Sequence, residues 1–409
     1  MNDMTMVKDP FEDFKTREDH GKWEPYIKQC GSISGMSPEH ASRARLAIEQ
    51  LRDALGDDKW LAEALRTGHP LLRYYLLNAT AWTRSVLIRI AEAIEALRDK
   101  VGFARLMEGL RDPAKFPERQ SVLDAGYRFH RAGFDVVFDP KVRIPRKVSG
   151  ELEKEPDIKL IDPDSGEELF VEVSAQHLAA EHDAISRFSG QLNDHLRCLM
   201  RQRSVLIQAR FHEEMTKLSD SSVQDILIRI DNCAREVQAT GTFETLAEQG
   251  VIEVGIAPLH LSKALEYWAA AMEIEKSQVV SGPSIALKDL KRLVLDKFGK
   301  EVRQLPMDRP GILIVTATDS LLFAAHHPEE VGARIAHFVQ RWPQLICAAV
   351  TYCHGEERRI GNKTACEYWI SENLIFHPLW ETHVGAFNPS CRLPVHPTTR
   401  QRIRQAFRQ

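Results

Sequence analysis

The sequence predicts a mixed α/β fold with a helical N-terminal domain and an α/β insertion inside its core. Apolar residues recur at helical spacing between residues 37 and 112. From residue 113 onward, strand-like runs alternate with amphipathic segments, which is typical of β-sheets flanked by helices. With 409 residues, of which 43% are hydrophobic and 27% charged, the chain is long enough for two or three domains or subdomains.

The N-terminal region divides into an arm and a helical domain. Residues 1–36 lack periodicity, so we expect an N-terminal arm with one short helix. Ser37 and Pro38 have the residue types of an N-cap and a first helical position, and Pro70 can open a further helix. Residues 37–112 are therefore predicted to form a helical domain that serves packing or oligomerisation.

Residues 113–180 are predicted to form the first half of the core. Pro117 can open a helix, Gly133 can end it in the left-handed conformation, and FDVVF then has strand composition. A charged loop follows, with the sequence KVRIPRKVSGELEKE. PDIKLI and ELFVEVS are next predicted to form a hairpin around the turn from Asp162 to Gly166.

An α/β insertion is predicted over residues 181–283, where helical segments alternate with the strand-like runs SVLIQARF and VIEVGIA. Residues 284–409 are predicted to hold the second half of the core and a C-terminal segment. In this region IALKDLKRLVLDKFGKEVRQLP is typical of an amphipathic helix and GILIVTA of a buried strand. A helix, EEVGARIAHFVQRW, and two strands, ICAAVTYC and ACEYWIS, complete the predicted sheet.

Composition and absent motifs narrow the functional classes. The net charge of −4 means that nucleic-acid binding would need a local basic surface. Seven cysteines without a CxxC pair are typical of a reducing cytoplasm, and we expect no zinc site. Charges interrupt every apolar run, so we expect a cytoplasmic protein without membrane contact. GxGxxG, GxxxxGK[ST], GxSxG and HExxH are all absent from the sequence.

Two acids occupy the predicted hairpin: Asp157 follows Pro156, and Glu172 lies in the second strand. Because side chains alternate along a strand, Asp157 shares a face with Lys159, and Glu172 shares one with Ser174. Antiparallel pairing can bring these faces together, and two close carboxylates repel each other unless a cation such as Mg²⁺ lies between them. The alternative is that both acids are ordinary solvated strand residues.

The segment from Pro117 to Gln176 resembles the first half of the PD-(D/E)XK nuclease superfamily, which has the restriction-endonuclease-like fold. In that superfamily an acid-bearing helix precedes three strands, of which the second carries Pro-Asp and the third carries acid-x-Lys. The matching residues are Glu118, Pro156, Asp157, Glu172, Val173 and Ser174. The resemblance implies a restriction-endonuclease-like mixed β-sheet flanked by helices.

The same resemblance implies a metal site and catalytic residues. Asp157, Glu172 and the Val173 carbonyl would ligate Mg²⁺ or Mn²⁺. Glu118 would assist through water or a second ion, and Gln176 matches the frequent ExKxQ extension of the motif. Ser174 departs from the pattern, because a hydroxyl cannot supply the positive charge of the lysine found there.

Two interpretations of Ser174 remain open. In the first, Lys159 reaches the site with its flexible side chain and restores the charge. In the second, the fold is kept for nucleic-acid binding or assembly while cleavage is lost. The first implies a metal-dependent endonuclease that hydrolyses nucleic acid, with DNA expected and a role in bacterial defence suggested by the family. The second implies a binding or scaffold subunit of a multi-component complex, and a homo-oligomer is a further possibility.

Two basic segments are candidates for phosphate contacts. One is the loop that carries Lys141, Arg143, Arg146 and Lys147, and the other is the C-terminal RQRIRQAFRQ. The alternatives are a solvated loop balanced by the acidic ELEKE, and a frayed amphipathic helix.

Overall fold

The chain is an α/β protein with mixed sheets flanked by helices. The computed structural model describes residues 18–146, 150–176, 180–275, 278–283, 297–317, 326–355, 362–364, 367–393 and 395–408. Two compact units are present. We call Leu178–Ile285 the small unit, and Pro10–His177 together with Ala286–Gln409 the large unit.

Helices make up the N-terminal part of the large unit. The Ser37 side chain accepts a hydrogen bond from the His40 N–H, and Pro38 is the first residue of its helix, which confirms the predicted cap. After Pro70 the chain forms a π-helical turn, Leu71–Leu76. The α-helices here are α1 Trp23–Gln29, α2 Pro38–Leu55, α3 Asp58–Thr67, α4 Ala81–Leu97, α5 Phe103–Arg111 and α6 Phe116–Arg131.

The described part of the predicted N-terminal arm includes one short α-helix, α1, whose Trp23, Tyr26 and Ile27 belong to an apolar core cluster. Short 3₁₀ turns, Glu18–Gly21 and Cys30–Ser32, flank α1. Trp23 is buried, and its indole N–H donates to the Gly56 carbonyl at 3.0 Å. The large apolar area of this tryptophan outweighs the lack of helical periodicity around it.

An eight-stranded sheet forms the centre of the large unit, in the order β1-β4-β5-β10-β11-β14-β13-β12. Strand β10 pairs in parallel with β5 and β11, and the other neighbours pair antiparallel. The predicted hairpin of β4 and β5 is confirmed. The strands are β1 Asp135–Phe138, β4 Ile158–Ile161, β5 Glu168–Gln176, β10 Gly311–Ala317, β11 Leu345–His354, β12 Lys363–Thr364, β13 Trp369–Phe376 and β14 Leu379–Phe387.

The charged segment that was expected to be a loop forms a hairpin of its own. Val142–Arg146 is β2, and Gly150–Lys154 is β3. The two strands pair antiparallel from Val142 opposite Lys154 to Arg146 opposite Gly150. The prediction of a loop was wrong because Val142, Ile144 and Leu152 alternate with charged residues and Pro145, a pattern of strand type that charge and proline obscured.

The two faces of the large sheet pack into two apolar clusters. Val171 and Val173 face the cluster that contains the N-terminal helices, so those helices share a core with the sheet. Phe170, Leu313 and Val315 face the second cluster. That cluster includes helix α11, Pro328–Val339. Of the predicted helix from residue 284 onward, residues 284–296 lie outside the described part, and the remainder includes the short helix α10, Gly299–Glu301. Helix α12, Pro397–Ala406, ends the large unit.

The small unit is a four-stranded sheet with helices, and its strand order is β7-β8-β6-β9. The predicted strands SVLIQARF and VIEVGIA correspond to β6 and β8, which pair antiparallel. Its elements are α7 Ala180–Arg203, β6 Val205–Phe211, α8 Asp220–Thr240, β7 Glu244–Glu248, β8 Ile252–Pro258, α9 Ser262–Ala271 and β9 Val280–Ser281, with 3₁₀ turns at Glu213–Lys217 and Leu259–Leu261. Among the described residues of the whole chain, none of the helices has the length and apolar character needed to cross a bilayer.

Candidate active site

Asp157 and Glu172 meet at the end of the β4–β5 hairpin. Ile158 pairs with Val171, so in the continued antiparallel register Asp157 lies opposite Glu172. Past the end of β4, the Asp157 Oδ2 atom accepts a hydrogen bond from the Val173 N–H at 2.9 Å. The side chain of Asp157 therefore extends the ladder of β4 and turns towards β5.

The alternation of β5 places Glu172 inside the protein. Val171 and Val173 belong to one core cluster and Phe170 to the other, so Glu172 and Ser174 face the same side as Phe170. Glu172 is only 4% exposed, and its Oε2 atom is buried without a hydrogen-bond partner among the described residues. An unpaired buried carboxylate oxygen is costly, so this atom needs an explanation.

A third carboxylate, that of Glu301, reaches the same region from α10. Glu301 is buried, and its Oε1 atom accepts a hydrogen bond from the Ser174 hydroxyl at 3.3 Å. The Gln304 side chain donates to the other oxygen of Glu301. The site therefore combines acids from the hairpin with an acid from a segment more than a hundred residues later in the chain.

Burial and neighbouring carboxylates raise the pKa of both hairpin acids. For Glu172 the largest cause is burial, followed by the negative charges of Asp157 and Glu301. For Asp157 burial is again the largest cause; the Val173 N–H and the Arg119 guanidinium lower its pKa without cancelling the rise. The raised pKa values mean that the two carboxylates cannot easily be charged together unless positive charge is added.

Lys297 brings positive charge to Ser174. Its ammonium donates a hydrogen bond to the Ser174 hydroxyl at 3.3 Å. Lys159, which the sequence suggested for this role, instead contacts Glu168 at 3.1 Å and sits opposite Phe170. The catalytic role assigned to Lys159 stays a prediction, but Lys297 is the lysine that the described residues place against Ser174.

The other candidate residues lie on α6 and at the end of β5. Glu118 lies in the first turn of α6, and its charge raises the pKa of both Asp157 and Glu172. Gln176 is a buried residue at the end of β5, opposite Ala317 of β10. Next to Glu118, the Arg119 guanidinium binds Asp139 at 2.8 Å and lies 3.9 Å from Asp157.

The Val173 backbone points towards the end of β4. The N–H and C=O of one strand residue point towards the same neighbouring strand. Because the Val173 N–H bonds to Asp157, the Val173 carbonyl also faces the end of β4. Within the described ranges no cluster of three or more His, Cys, Asp or Glu side chains has the geometry of a metal site. Asp157, Glu172 and the Val173 carbonyl stay predicted ligands.

The sequence patterns did not identify Glu301 and Lys297 as candidate site residues. Both residues lie in the segment KFGKEVRQLP, in which Lys300 and Gln304 are one helical turn apart. Lys297 and Glu301 are also four residues apart and lie beside the buried Phe298 and Val302. Charged residues placed on the apolar side of an amphipathic pattern were the available signal.

The candidate phosphate-binding loop is described only in part. Lys141 lies 4.0 Å from Glu155. Arg143 and Arg146 belong to β2, and Lys147 is outside the described residues.

Comparisons of this chain with protein-family models, with curated proteins and with solved structures found no match.

Proposed function

We propose that the large unit is a divalent-metal-dependent nuclease whose site is built on Asp157 and Glu172. The supporting observation is the buried Glu172 Oε2 atom, which has no hydrogen-bond donor among the described residues and lies near further carboxylates. A cation at this point would offset the repulsion and satisfy that oxygen. Titratable groups with strongly shifted pKa values are more often found at functional sites than elsewhere.

Asp157, Glu172 and the Val173 carbonyl are the groups that would hold Mg²⁺ or Mn²⁺. This small set fits Mg²⁺, which is commonly bound through one or two carboxylates and keeps several waters. When bound, such an ion polarises a phosphoryl oxygen and lowers the pKa of a water. The hydrogen bond from Val173 to Asp157 holds one carboxylate in a fixed orientation before the ion arrives.

Lys297 takes the electrostatic role that the superfamily assigns to the residue at position 174. The Ser174 hydroxyl accepts from the Lys297 ammonium and donates to Glu301, so it orients both charged groups. An ammonium held beside Ser174 would stabilise negative charge that develops on an attacking oxygen. Lysine and serine from separate segments thereby replace one lysine of the motif.

Nuclease assays of the purified full chain test the proposal. Labelled single- and double-stranded DNA and RNA would be incubated with Mg²⁺ or Mn²⁺, with EDTA as the control. We expect cleavage by the wild type and a loss of about 100-fold or more in Asp157→Asn and in Glu172→Gln. Absence of cleavage on every substrate, or full activity in both variants, would contradict the proposal.

Two lysine variants test which residue supplies the positive charge. We expect Lys297→Ala to lower the cleavage rate about 100-fold, and Lys159→Ala to change it less than about threefold. Both changes remove one charge from the large unit, so Lys159→Ala is a matched control. A larger loss of cleavage rate in Lys159→Ala than in Lys297→Ala would assign the electrostatic role to Lys159.

Ser174 also favours a second candidate, a nucleic-acid-binding or scaffold protein that has lost cleavage. Without a lysine in β5, the charge at this position depends on a single long side chain from another segment. Titration calorimetry with Mg²⁺ and Mn²⁺ separates the two functions. Binding that disappears in Asp157→Asn favours the nuclease, whereas nucleic-acid binding without any metal uptake favours the scaffold.

A further inference from the structure

Three arginines follow one another at four-residue intervals on α12 and just beyond it: Arg400, Arg404 and Arg408. A helix rises 1.5 Å per residue, so successive side chains are separated by about 6 Å along the axis. All three are exposed, and no carboxylate of the described residues lies within ion-pair distance of them. Arg402 on the same helix is different, because it pairs with Asp162 and Asp164.

The three arginines line a cavity of about 310 Å³ together with aromatic side chains. The guanidinium groups of Arg400 and Arg404 lie 4.9 and 5.1 Å from the centre of the Phe387 ring. Trp369 also lines the cavity, and its buried indole N–H has no acceptor among the described residues. Among the lining residues Glu367 is the single carboxylate, so positive charge dominates.

We propose that this surface, the arginine stripe of Arg400, Arg404 and Arg408 with its aromatic cavity, binds a single-stranded nucleic-acid segment. Guanidinium groups bind phosphate oxygens in bidentate fashion, and their spacing along the helix suits consecutive backbone contacts. An unstacked base can enter an aromatic cavity, whereas bases inside a duplex remain stacked. The identity of the ligand rests on the nuclease function proposed above.

The arginine stripe is distant from the hairpin acids along the sheet. Trp369 belongs to β13, and Glu172 belongs to β5, with β10, β11 and β14 between them. Four strand spacings amount to roughly 19 Å. The stripe therefore holds the nucleic acid away from the reacting bond and takes no part in the chemistry.

Fluorescence anisotropy in EDTA tests this binding surface without requiring cleavage. Full-length protein carrying Asp157→Asn would be titrated with a labelled single strand, its duplex and a labelled mononucleotide at several salt concentrations. We expect the triple variant Arg400→Gln/Arg404→Gln/Arg408→Gln to bind the single strand at least about 10-fold more weakly. The slope of log affinity against log salt should fall by about 2, since each lost phosphate contact contributes about 0.7.

A second triple variant, Arg52→Gln/Arg66→Gln/Arg98→Gln, is the matched control, because it removes the same charge from other exposed helices of the large unit. It should bind nearly as the parent does. Circular dichroism should show both triple variants folded; if the stripe variant is unfolded, Arg404→Glu alone is used, with an expected weakening of at least about fivefold.

The outcomes distinguish this inference from the proposed function. Equal loss in both triple variants, or unchanged binding in the stripe variant, overturns the stripe. Equal affinity for the duplex or for the mononucleotide overturns the assignment to a single strand. Loss of binding in the stripe variant, together with no cleavage by the wild type, keeps the surface and contradicts only the nuclease. Cleavage by the wild type, together with unchanged binding in the stripe variant, supports the nuclease and contradicts only the stripe.

Discussion

Glu172 and Glu381 are both buried glutamates of the large unit, with exposures of 4% and 2%. Their surroundings nevertheless shift the carboxyl pKa in opposite directions. Burial and neighbouring carboxylates raise the pKa of Glu172. Burial acts in the same direction on Glu381, but Arg128 and His383 overcome it and hold the pKa well below its usual range.

The difference comes from the cations that the fold supplies. The Arg128 guanidinium binds Glu381 and also contacts Asp124 at 2.6 Å. Arg89 adds a second positive charge, 2.9 Å from the other oxygen of Asp124. Around Glu172, in contrast, the nearby groups that shift its pKa electrostatically are carboxylates.

The comparison separates a structural cluster from a candidate site. Buried ions that are paired and hydrogen-bonded maintain the native packing, and removal of one partner is costly. A buried acid surrounded by other carboxylates destabilises the protein on its own, and acids with strongly shifted pKa values are more frequent at functional sites than elsewhere. The large unit therefore contains one buried glutamate, Glu381, that is paired with Arg128, and another, Glu172, whose neighbouring charges are carboxylates. The Oε2 atom of each is buried without a hydrogen-bond partner among the described residues, so the neighbouring charges distinguish the two sites.

The largest expected effect on stability comes from removing Arg128 from the buried cluster that contains Glu381. Arg128→Met should leave Glu381 without its main cation and lower the free energy of unfolding by about 3–5 kcal/mol. The wild-type Glu381 pKa is depressed, so its contribution to stability is present above the ordinary carboxyl pKa and is lost on acidification. Urea unfolding between pH 3 and pH 7 should show the variant converging with the wild type at low pH.

Arg98→Met serves as the control for that experiment. Arg98 contacts Glu95 at 3.0 Å, but both side chains are more than half exposed. An exposed pair of this kind contributes less than about 0.5 kcal/mol. A loss in Arg98→Met equal to that in Arg128→Met would remove the distinction between buried and exposed pairs.

A smaller effect of opposite sign, an increase in stability, is expected from a substitution at Glu172. Glu172→Gln should raise the stability of metal-free protein by about 1–3 kcal/mol, because the wild type must protonate Glu172 on folding or bury its charge, whereas glutamine needs neither. The Glu172 pKa is raised, so the wild type loses stability as pH rises above the ordinary carboxyl pKa, and the advantage of the variant should grow towards pH 8.

Thermal unfolding with EDTA and with excess Mg²⁺ measures this difference. Bound Mg²⁺ should stabilise the wild type and leave Glu172→Gln nearly unchanged, which narrows the gap between them. If Glu172→Gln destabilises the metal-free protein, Glu172 belongs to a compensated structural cluster and the comparison above is wrong.

The smallest effect is expected at the Lys159–Glu168 pair, whose side chains are 24% and 38% exposed. A double-mutant cycle with Lys159→Ala and Glu168→Ala should give a coupling of about 0.2–1 kcal/mol. A larger coupling would mean that this pair is as important to the fold as the buried cluster.

Local patterns predicted many elements correctly. Ser37 and Pro38 begin α2, Pro117 lies in the first turn of α6, and the β4–β5 hairpin has the predicted turn. The alternation of β5 also placed Glu172 and Ser174 on one face. These successes share a cause, because capping, turn chemistry and side-chain alternation operate between residues close in sequence.

Local sequence patterns did not predict how distant strands and side chains pair with one another. β10 lies between β5 and β11, and β14 was not predicted as a strand. Lys297 and Glu301 meet Ser174 across 123 and 127 residues. Such contacts depend on the packing of whole elements, which leaves little trace in a local pattern.

The sequence by itself predicted that the chain is α/β, that Asp157 and Glu172 lie on one hairpin, and that Glu172 and Ser174 share a face of their strand. Only the tertiary structure decided that Glu172 is buried among other carboxylates and that Lys297, rather than Lys159, reaches Ser174. The physical reason is that periodicity sets the direction of a side chain, whereas burial and charge depend on which distant segment packs against it.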